Sequence, residues 1–175
     1  MDKNDIILVD ESDKEIGTGE KMEVHRKGLL HRCFSIVIFN AKGEMLLQKR
    51  AAGKYHCGGL WTNACCSHPR PGEDIISAGK RRLREEMGIE CELQETFQFT
   101  YRAEFENGLT EHEFDHVLLG KFDGKPHINP EEADDWRWVD VTKLKEEIAG
   151  NPEKFTPWFV IIVDKLEGVG LANIF

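Results

Sequence analysis

The chain has 175 residues, of which 40% are hydrophobic and 31% are charged. A chain of this length fits one domain, which buries about 70% of the surface that it exposes when unfolded. The composition is that of a globular protein and excludes the disordered and membrane classes. The formal net charge of −9 argues against a general nucleic-acid-binding protein, although it leaves room for a local basic pocket.

The N-terminal residues 1–5 are charged rather than apolar. No apolar run of the sequence approaches the roughly 20 residues of a membrane-spanning helix, and no segment has the pattern of a secretory signal peptide. We therefore expect neither an anchor nor an export signal and predict a cytoplasmic protein. The five cysteines are an odd number, which fits reduced thiols better than a disulfide framework.

Short runs of β-branched or aromatic residues, each bounded by Gly, Asp or Asn, predict β-strands. In chain order these runs cover residues 5–9, 33–39, 45–48, 97–105, 113–120 and 136–139. The four residues from Asn40 to Gly43 separate the second run from the third and predict a hairpin turn. We therefore expect these two strands to pair as neighbours.

The helix prediction is clearest for residues 73–87, which end before Gly88, a residue suited to the C′ position. Spacings of three and four residues gather apolar or small side chains on one face of this helix. These residues are Ile76, Gly79, Leu83 and Met87. Arg82 and Glu86 share a neighbouring face, where the simplest interpretation is an exposed ion pair worth a few tenths of a kcal/mol.

Two further helices are predicted at residues 141–148 and 152–166. No internal repeat, low-complexity tract or linker divides the chain. A series of short strands interspersed with a few helices is typical of α/β and α+β proteins, in which helices flank a mixed sheet. We therefore predict a sandwich of this class, formed by a single domain over residues 1–175.

Two segments contain a thiol, an imidazole and two carboxylates close together in the sequence. Glu111 and Glu113 lie two residues apart in a strand-like run, so both side chains leave the same face of a sheet. Cys66 and His68 lie in the turn-prone segment 61–69, the kind of segment that places a side chain at the edge of a pocket. Such a set of groups can hold a metal ion and transfer protons.

The other cysteines have simpler interpretations. Cys33 and Cys91 lie in apolar, strand-like surroundings and are expected in the core. Cys57, Cys65 and His68 leave a structural zinc site open as an alternative. The Cys-x2-Cys or Cys-x4-Cys spacing that is usual in such sites is missing, which argues against this alternative.

Residues 67–89 resemble the Nudix box, whose pattern is G-x5-E-x7-R-E-U-x-E-E-x-G-U, with U an apolar residue. The corresponding residues are Ser67, Glu73, Arg81, Arg82, Leu83, Glu85, Glu86, Gly88 and Ile89. Ser67 replaces the first glycine of the pattern, and Arg82 replaces a glutamate that hydrolytic Nudix enzymes use to bind their metal. The second departure argues against hydrolysis.

With segment 61–69, the pair Glu111-x-Glu113 and residues 156–158, this box makes the chain similar to the type I isopentenyl-diphosphate isomerases. The resemblance covers residues 7–166. It implies a Nudix-like sandwich of mixed sheet and helices. It also implies a 1,3-proton shift between isopentenyl diphosphate and dimethylallyl diphosphate.

By the same resemblance, Cys66 and Glu113 are the two acid/base groups and face each other across the substrate. A thiol suits this role if its neighbours tune its pKa, and we expect His68 with a nearby cation to lower that pKa. The resemblance also implies one divalent ion, Mn²⁺ or Zn²⁺, in a site of three imidazoles and two carboxylates. The ligands would be His25, His31, His68, Glu111 and Glu113.

The substrate implied by the resemblance is a small prenyl diphosphate, held by basic residues and by a Mg²⁺ ion on Glu86. The residues expected around it are Lys21, Arg50, Lys54, Ser67, Arg82, Tyr101 and Trp158. Tyr101 and Trp158 are candidates for an aromatic wall and for a hydrogen bond to Glu113, with core packing as an equal alternative. Arg82 in place of a carboxylate would convert a metal cluster into a phosphate clamp.

Two alternative functions stay open at this point. One is a Nudix hydrolase that cleaves a diphosphate with Glu73, Glu85 and Glu86 on Mg²⁺, and the other is a zinc-organised binding module. We expect a monomer without nucleic-acid or membrane partners. The histidines without a role in the resemblance are expected to be structural or exposed, and these are His56, His112, His116 and His127.

Overall fold

The computed structural model describes residues 5–169 of the chain. Residues 1–4 and 170–175, the two ends of the predicted domain 1–175, lie outside the described residues, as does most of the charged N-terminal segment. Within residues 5–169, no helix combines the length and the apolar character that crossing a bilayer requires.

Nine strands form one mixed sheet in the described part of the chain, and helices pack against it, so the predicted α+β class is confirmed. The strands are β1 (Asp5–Val9), β2 (Glu15–Glu20), β3 (His31–Phe39), β4 (Glu44–Arg50), β5 (Trp61–Asn63), β6 (Cys65–Ser67), β7 (Leu93–Glu104), β8 (Thr110–Lys121) and β9 (Ala133–Asp140). The α-helices are α1 (Lys21–Lys27), α2 (Ile75–Met87), α3 (Val141–Gly150) and α4 (Pro157–Val169), and a 3₁₀ turn covers Pro152–Lys154.

Strand β3 is the centre of the sheet, because eight of its nine residues are buried and six are apolar. It runs parallel to β8 and antiparallel to β1, β4 and β6. Strand β8 pairs in turn with β7, and β4 pairs with β5 and β9, all antiparallel. A strand with packed layers on both faces is expected to contain a continuous apolar run, which here covers residues 36–39.

The two faces of β3 belong to two different core clusters. Ile36 and Ile38 pack in a cluster with Leu83 of α2. Val37, which points to the opposite face, packs in a cluster with Phe159 of α4. The sheet is therefore sandwiched between α2 and α4, and this confirms the predicted layered architecture.

The predicted apolar face of α2 is confirmed, because Gly79 and Leu83 are fully buried. The helix begins later than predicted, because Asp74 is its N-cap and accepts a hydrogen bond from the backbone nitrogen of Ser77 at 2.9 Å. It ends at Gly88, whose φ of 63° is in the left-handed region that favours glycine.

The predicted hairpin turn between β3 and β4 is also confirmed. The backbone nitrogen of Gly43 donates to the backbone oxygen of Asn40 at 3.0 Å. Gly43 has a φ of 76°, which a residue with a side chain rarely adopts. The turn lets Phe39 pair with Met45 across the hairpin.

The predicted helix over residues 152–166 is wrong in its first turns. Pro152–Lys154 form a separate 3₁₀ turn, and α4 begins at Pro157. A residue that precedes proline is disfavoured in the helical conformation, so Thr156 interrupts the helix, while proline suits the first helical position. This interruption lets the buried Thr156 hydroxyl approach the Thr62 hydroxyl at 2.8 Å.

Four elements were not predicted from the sequence, namely β2, α1, β5 and β6. Strand β2 is mostly exposed and contains two glycines, so it lacks the alternation of apolar and polar residues. Helix α1 has seven residues and β5 and β6 have three each, which is too short for a periodic pattern. Three of these elements carry residues of the site described next.

Candidate active site and metal centre

Three adjacent strands bring His31, Tyr101 and Glu113 side by side. His31 lies opposite Glu113 in the parallel pair of β3 and β8, and Tyr101 lies opposite Glu113 in the antiparallel pair of β7 and β8. Glu111 leaves β8 on the same face, and both carboxylates line one cavity. The predicted common face of the two glutamates is therefore confirmed, and Tyr101 Oη donates a hydrogen bond to Glu113 Oε2.

Helix α1 and the start of β3 supply His25 and His31, which are fully buried. His25 Nδ1 lies 2.6 Å from the backbone oxygen of Lys21, and His31 Nδ1 lies 2.8 Å from that of Leu29. A carbonyl oxygen only accepts hydrogen bonds, so each Nδ1 carries a proton, and the neutral form of each ring has its lone pair on Nε2. Such a backbone hydrogen bond orients a histidine for metal coordination.

The ligand atoms of four side chains converge behind the cavity. Those of His25, His31, His68 and Glu111 all lie within 4.8 Å of one another. Among the described residues, His25 Nε2, His31 Nε2 and Glu111 Oε2 are buried and form no hydrogen bond of good geometry, and His25 Nε2 lies 3.2 Å from Glu111 Oε2. One divalent cation would satisfy all of them, so the residues present fit a metal site.

Glu113 is in contact with this group. Its Oε1 lies 3.0 Å from His68 Nε2 and 3.6 Å from His31 Nε2. Burial and the charge of Glu111 raise the pKa of Glu113, but its interactions with His31 and His68 outweigh them and lower it to about 2. The Glu113 carboxylate is thus ionised and held between the imidazoles and the Tyr101 hydroxyl.

The histidines respond to the same interactions in opposite directions. Burial lowers the pKa of His31, but its attraction to Glu111 and Glu113 prevails and raises it to about 9. Burial dominates for His68 and lowers its pKa to about 4, with a further contribution from the positive charge of Lys21. The centre therefore combines two carboxylates with at least one imidazole that stays neutral near pH 7.

Cys66 on β6 has three polar neighbours. Its Sγ donates to Asn63 Oδ1 at 3.1 Å, and the indole Nε1–H of Trp158 donates to the sulfur at 3.1 Å. Ser35 Oγ lies 3.4 Å from the same sulfur. The Asn63 amide cannot flip, because its Nδ2 donates to two backbone oxygens at 3.1 and 2.8 Å. The thiol is therefore oriented by a fixed acceptor and a fixed donor.

The expected net lowering of the Cys66 pKa is wrong, because this pKa is raised. Burial is the largest influence and, with the negative charge of Asp115, raises this pKa to about 12. A hydrogen bond with Ser35 and the charge of Arg50 lower the pKa of Cys66, but by less. Burial also raises the pKa of Asp115 to about 8. The thiol is accordingly neutral near pH 7.

All the predicted site residues except the deeply buried His25 and His31 line one cavity of about 50 Å³. They are Lys21, Arg50, Lys54, Cys66, Ser67, His68, Arg82, Glu86, Tyr101, Glu111, Glu113 and Trp158, and they are joined by Tyr55 and His56. The acid/base candidates Cys66 and Glu113 thus share a cavity with the predicted cations.

The basic part of the cavity contains donors that have no partner in the described structure. The Nε atoms of Arg50 and Arg82 are buried and make no hydrogen bond. Arg50 lies with its guanidinium carbon 5.4 Å from the Trp158 ring centroid, and Lys21 Nζ lies 4.6 Å from that of Tyr55. Buried guanidinium N–H groups are costly when unsatisfied, so this region fits an anion such as a phosphate.

The Arg82–Glu86 pair is not the exposed pair that its helix spacing suggests. Glu86 is 3% exposed, and its Oε1 accepts from Arg82 Nη2 at 2.7 Å. Its Oε2 accepts from Gln48 Nε2 at 3.0 Å. The carboxylate therefore lies at the cavity wall, beside the predicted phosphate clamp.

Several site residues were missed by the sequence analysis. His56 is buried, forms a hydrogen bond with Glu111 Oε1, and stacks on Phe105 with a ring separation of 4.7 Å. Nothing in the sequence distinguishes it from other histidines. Ser35, within an apolar strand, also gave no indication. Asn63, by contrast, lies in the segment 61–69, so its position could have marked it.

The other histidines are structural or exposed, as expected. His112 Nδ1 lies 3.0 Å from the backbone oxygen of Gly28, and His116 lies between Asp13 and Glu95. His127 is exposed. None of these rings belongs to the metal group among residues 5–169.

The alternative zinc site of Cys57, Cys65 and His68 is wrong for the described residues. The Cys65 side chain belongs to the core cluster of α2, Cys57 lines a separate cavity, and His68 belongs to the histidine and glutamate group. All five cysteines are free thiols, as predicted. Cys33 is buried and Cys91 is half-buried against the core.

Comparison with known proteins identifies the class first. The NUDIX domain family matches residues 29–159, and the chain therefore belongs to the Nudix family. The crystal structure of DR0079 from Deinococcus radiodurans has the same fold, with a TM-score of 0.78 and 20% identity over 92% of this chain and 98% of that chain.

Curated relatives then show which enzymes the chain is similar to. Isopentenyl-diphosphate Delta-isomerase 2 of Aromatoleum aromaticum is 51% identical over 176 residues, covering 97% of this chain and 93% of the relative. The isopentenyl-diphosphate Delta-isomerase of Serratia proteamaculans is 55% identical over 161 residues, covering 92% and 90%. The chain belongs to the isopentenyl-diphosphate Delta-isomerase family.

Proposed function

We propose that this chain interconverts isopentenyl diphosphate and dimethylallyl diphosphate in isoprenoid precursor biosynthesis, with Cys66 and Glu113 as its proton-transfer groups. The observation that carries this proposal is that both side chains line one cavity together with several cations. Acid/base groups beside clustered cations suit a substrate with a short hydrocarbon part and a diphosphate. Membership of the isomerase family points to the same substrate.

The reaction forms one C–H bond at an end of the double bond and breaks another two carbons away, while the π electrons shift between them. One of the two groups, Cys66 or Glu113, donates a proton, the other accepts one, and nothing is oxidised or reduced. Positive charge develops at the tertiary carbon, which calls for a dry, π-rich wall. Tyr101 and Trp158, which are 7% and 3% exposed, would supply this wall.

We propose that five residues hold one divalent ion, Mn²⁺ or Zn²⁺, and these are His25, His31, His68, Glu111 and Glu113. The bound ion would supply positive charge to neutralise two buried carboxylates. The hydrogen bonds of the two Nδ1 atoms keep His25 and His31 aimed at the site. The Tyr101 hydroxyl holds one oxygen of Glu113 while the other faces the histidines, which orients this carboxylate for proton transfer.

The diphosphate would be bound by the basic part of the cavity. The residues assigned to it are Lys21, Arg50, Lys54, Ser67 and Arg82, with a Mg²⁺ ion on Glu86. Support comes from the buried Nε atoms of Arg50 and Arg82, which have no partner among the described residues. Phosphate oxygens form strong charge-assisted hydrogen bonds with such donors.

A hydrolytic activity is not supported by the carboxylates of the Nudix-box segment. Glu73 is bound by Arg81 through two contacts of 2.7 Å. Glu85 is bound by Arg82 at 2.7 Å. Arg82 also stands where the hydrolytic pattern has a metal-binding glutamate, so the segment lacks one carboxylate of a hydrolytic Mg²⁺ cluster, and isomerisation is the better explanation.

Incubation with isopentenyl diphosphate in D₂O tests the proposed reaction. We expect NMR to detect deuterated dimethylallyl diphosphate without release of phosphate. Cys66→Ala should remain folded and metal-loaded but lose about a thousandfold in rate, as expected for removal of an acid/base group. Cys91→Ala, which changes a half-buried cysteine outside the cavity, should keep its activity. Phosphate release without the isomerised product would refute the isomerase, and a fully active Cys66→Ala would refute the role of the thiol.

We also propose that the enzyme is a cytoplasmic monomer that acts on a small molecule, without nucleic-acid or membrane partners. Five free cysteines fit a reducing compartment, and the net charge of −9 disfavours nucleic acid. Sedimentation equilibrium should give a single species of 20.1 kDa, whereas a concentration-dependent higher mass would contradict the monomer.

A further inference from the structure

Glu132, a residue outside the cavity wall, is held rigidly at the start of β9. Its backbone nitrogen donates to the Asn129 oxygen at 2.9 Å, and its backbone oxygen accepts from Ala51 at 3.0 Å. The following residue, Ala133, pairs with Arg50 in the sheet. The side chain is half-buried, so the carboxylate projects from a fixed backbone position beside the site.

The two oxygens of this carboxylate join two cations of the cavity. Oε2 is in direct contact with Lys54 Nζ, and Oε1 lies 2.9 Å from Arg82 Nη2. Lys54 lies in the loop after β4, whereas Arg82 lies on α2. Burial raises the pKa of Glu132, but the interactions with Lys54 and Arg82 outweigh it and lower that pKa. The carboxylate thus bridges side chains that two separate elements supply.

The contacts of Arg82 leave its Nε donor available. Its Nη1 donates to Glu85 at 2.7 Å, and its Nη2 donates to Glu86 at 2.7 Å and to Glu132 at 2.9 Å. Its Nε is buried without a partner. Glu132 therefore does not occupy this Nε donor. It fixes the guanidinium at the Nη2 edge while Nε stays available to an anion.

From these contacts we infer that Glu132 is a positioning residue for the substrate diphosphate, which holds Lys54 and Arg82 in place before the substrate binds. Lysine and arginine side chains lose much rotamer freedom when they are ordered, so ordering them beforehand favours binding. This inference rests on the proposed function, because it assumes that the cations bind a diphosphate. It predicts an effect on binding of the diphosphate rather than on proton transfer.

Steady-state kinetics of Glu132→Gln, which keeps the shape and removes the charge, tests this inference. We expect KM for isopentenyl diphosphate to rise about tenfold or more while kcat changes less than threefold. Calorimetric titration with inorganic pyrophosphate should show the same loss of affinity. The matched control is Glu131→Gln, because Glu131 is the neighbouring residue and is exposed. This control should leave KM unchanged.

A double-mutant cycle with Lys54→Ala tests whether Glu132 acts through its partners. If it does, Glu132→Gln should raise KM by a smaller factor in the Lys54→Ala background than in the unaltered chain. An unchanged KM or a lower KM would overturn the inference. So would a fall in kcat that is accompanied by a lower melting temperature. The pyrophosphate titration needs no turnover, so it still tests Glu132 if the isomerase reaction itself is not found.

Discussion

The Cys66 sulfur lies between one donor and one acceptor, and this arrangement matters because the half-buried thiol is poorly solvated. Burial raises the pKa of Cys66 to about 12, so removal of its proton is costly unless the thiolate is stabilised. The Trp158 Nε1–H, at 3.1 Å from the sulfur, stabilises negative charge there. Asn63 Oδ1 accepts from the thiol and stabilises the protonated form. Both protonation states therefore have a partner.

Replacement of Trp158 by phenylalanine isolates the indole donor, because the aromatic ring remains. We expect kcat to fall about tenfold to a hundredfold, the loss of one hydrogen bond to a group that becomes charged. The matched control is Trp138→Phe, whose Nε1 donates to the backbone oxygen of Gly124 at 3.3 Å, away from the cavity. Equal rates for the two variants would show that the donor has no part in the reaction.

Glu73 gives a prediction about stability and pH. Its hydrogen bonds with Arg81 lower its pKa below the usual 4.5. A lowered folded-state pKa means that this stabilisation is present above the unfolded pKa and is lost as the pH falls through the folded one. Glu73→Gln should therefore reduce the free energy of unfolding by up to about 1 kcal/mol at pH 7.

Urea unfolding at several pH values measures this difference. The gap between Glu73→Gln and the unaltered chain should shrink as the pH falls below 4.5. Glu11→Gln, at an exposed position in the turn between β1 and β2, serves as the control and should show little difference at any pH. A gap for Glu73→Gln that does not depend on pH would contradict the ion-pair explanation.

At the scale of elements, the segment between β4 and β5 controls the shape of the cavity. It carries Lys54, Tyr55 and His56, all of which line the cavity. Its start is tied to β9 by two backbone donors. The Ala51 nitrogen donates to the backbone oxygen of Glu132, the residue before β9, and the Ala52 nitrogen donates to Asp134 Oδ2 in β9. The segment has no regular secondary structure, so its course depends on such tethers and on glycine.

Gly58 provides a test of this dependence. A Cβ atom at this position would lie 2.5 Å from the backbone oxygen of Ala52, and Ala52 is tethered to β9. Gly58→Ala should therefore displace Lys54 and its neighbours and lower kcat/KM at least tenfold. Gly53→Ala in the same segment meets nothing within 4 Å and should change kcat/KM less than twofold. Similar values for the two variants would contradict this steric argument.

At the scale of the whole molecule, the proposed metal centre would collect its ligands from elements that are distant in the chain. Helix α1 supplies His25, β3 supplies His31, and β8 supplies Glu111 and Glu113. His68 follows β6 directly. A cation at this centre would therefore connect the N-terminal helix to the sheet, and ion binding and folding stability are coupled.

Chelation tests this coupling. Metal-stripped protein should lose its isomerase activity and regain it when Mn²⁺ or Zn²⁺ is added. At a free ion concentration of about 100 Kd, binding adds about 2.7 kcal/mol to the free energy of unfolding, which corresponds to a rise of about 5–10 °C in Tm. Full activity and an unchanged Tm in thoroughly stripped protein would contradict the five-ligand site.

The amino-acid sequence by itself determined the properties that depend on local spacing. Strand alternation put Glu111 and Glu113 on one face, helix periodicity gave α2 its buried side, and Asn40 to Gly43 defined a tight turn. The ligand types were also readable, through resemblance to a family whose motifs are specific as a set. Short elements such as α1 escaped because seven residues carry too little periodic pattern.

Only the tertiary structure decided the properties that depend on burial and on contacts between distant segments. The sequence suggested a lowered pKa for Cys66, but burial and the neighbouring Asp115 raise it. His56 contacts Glu111 across 55 positions, and Glu132 contacts Lys54 across 78. Desolvation and Coulomb energies depend on distances and on the surrounding dielectric, which packing creates and local spacing does not encode.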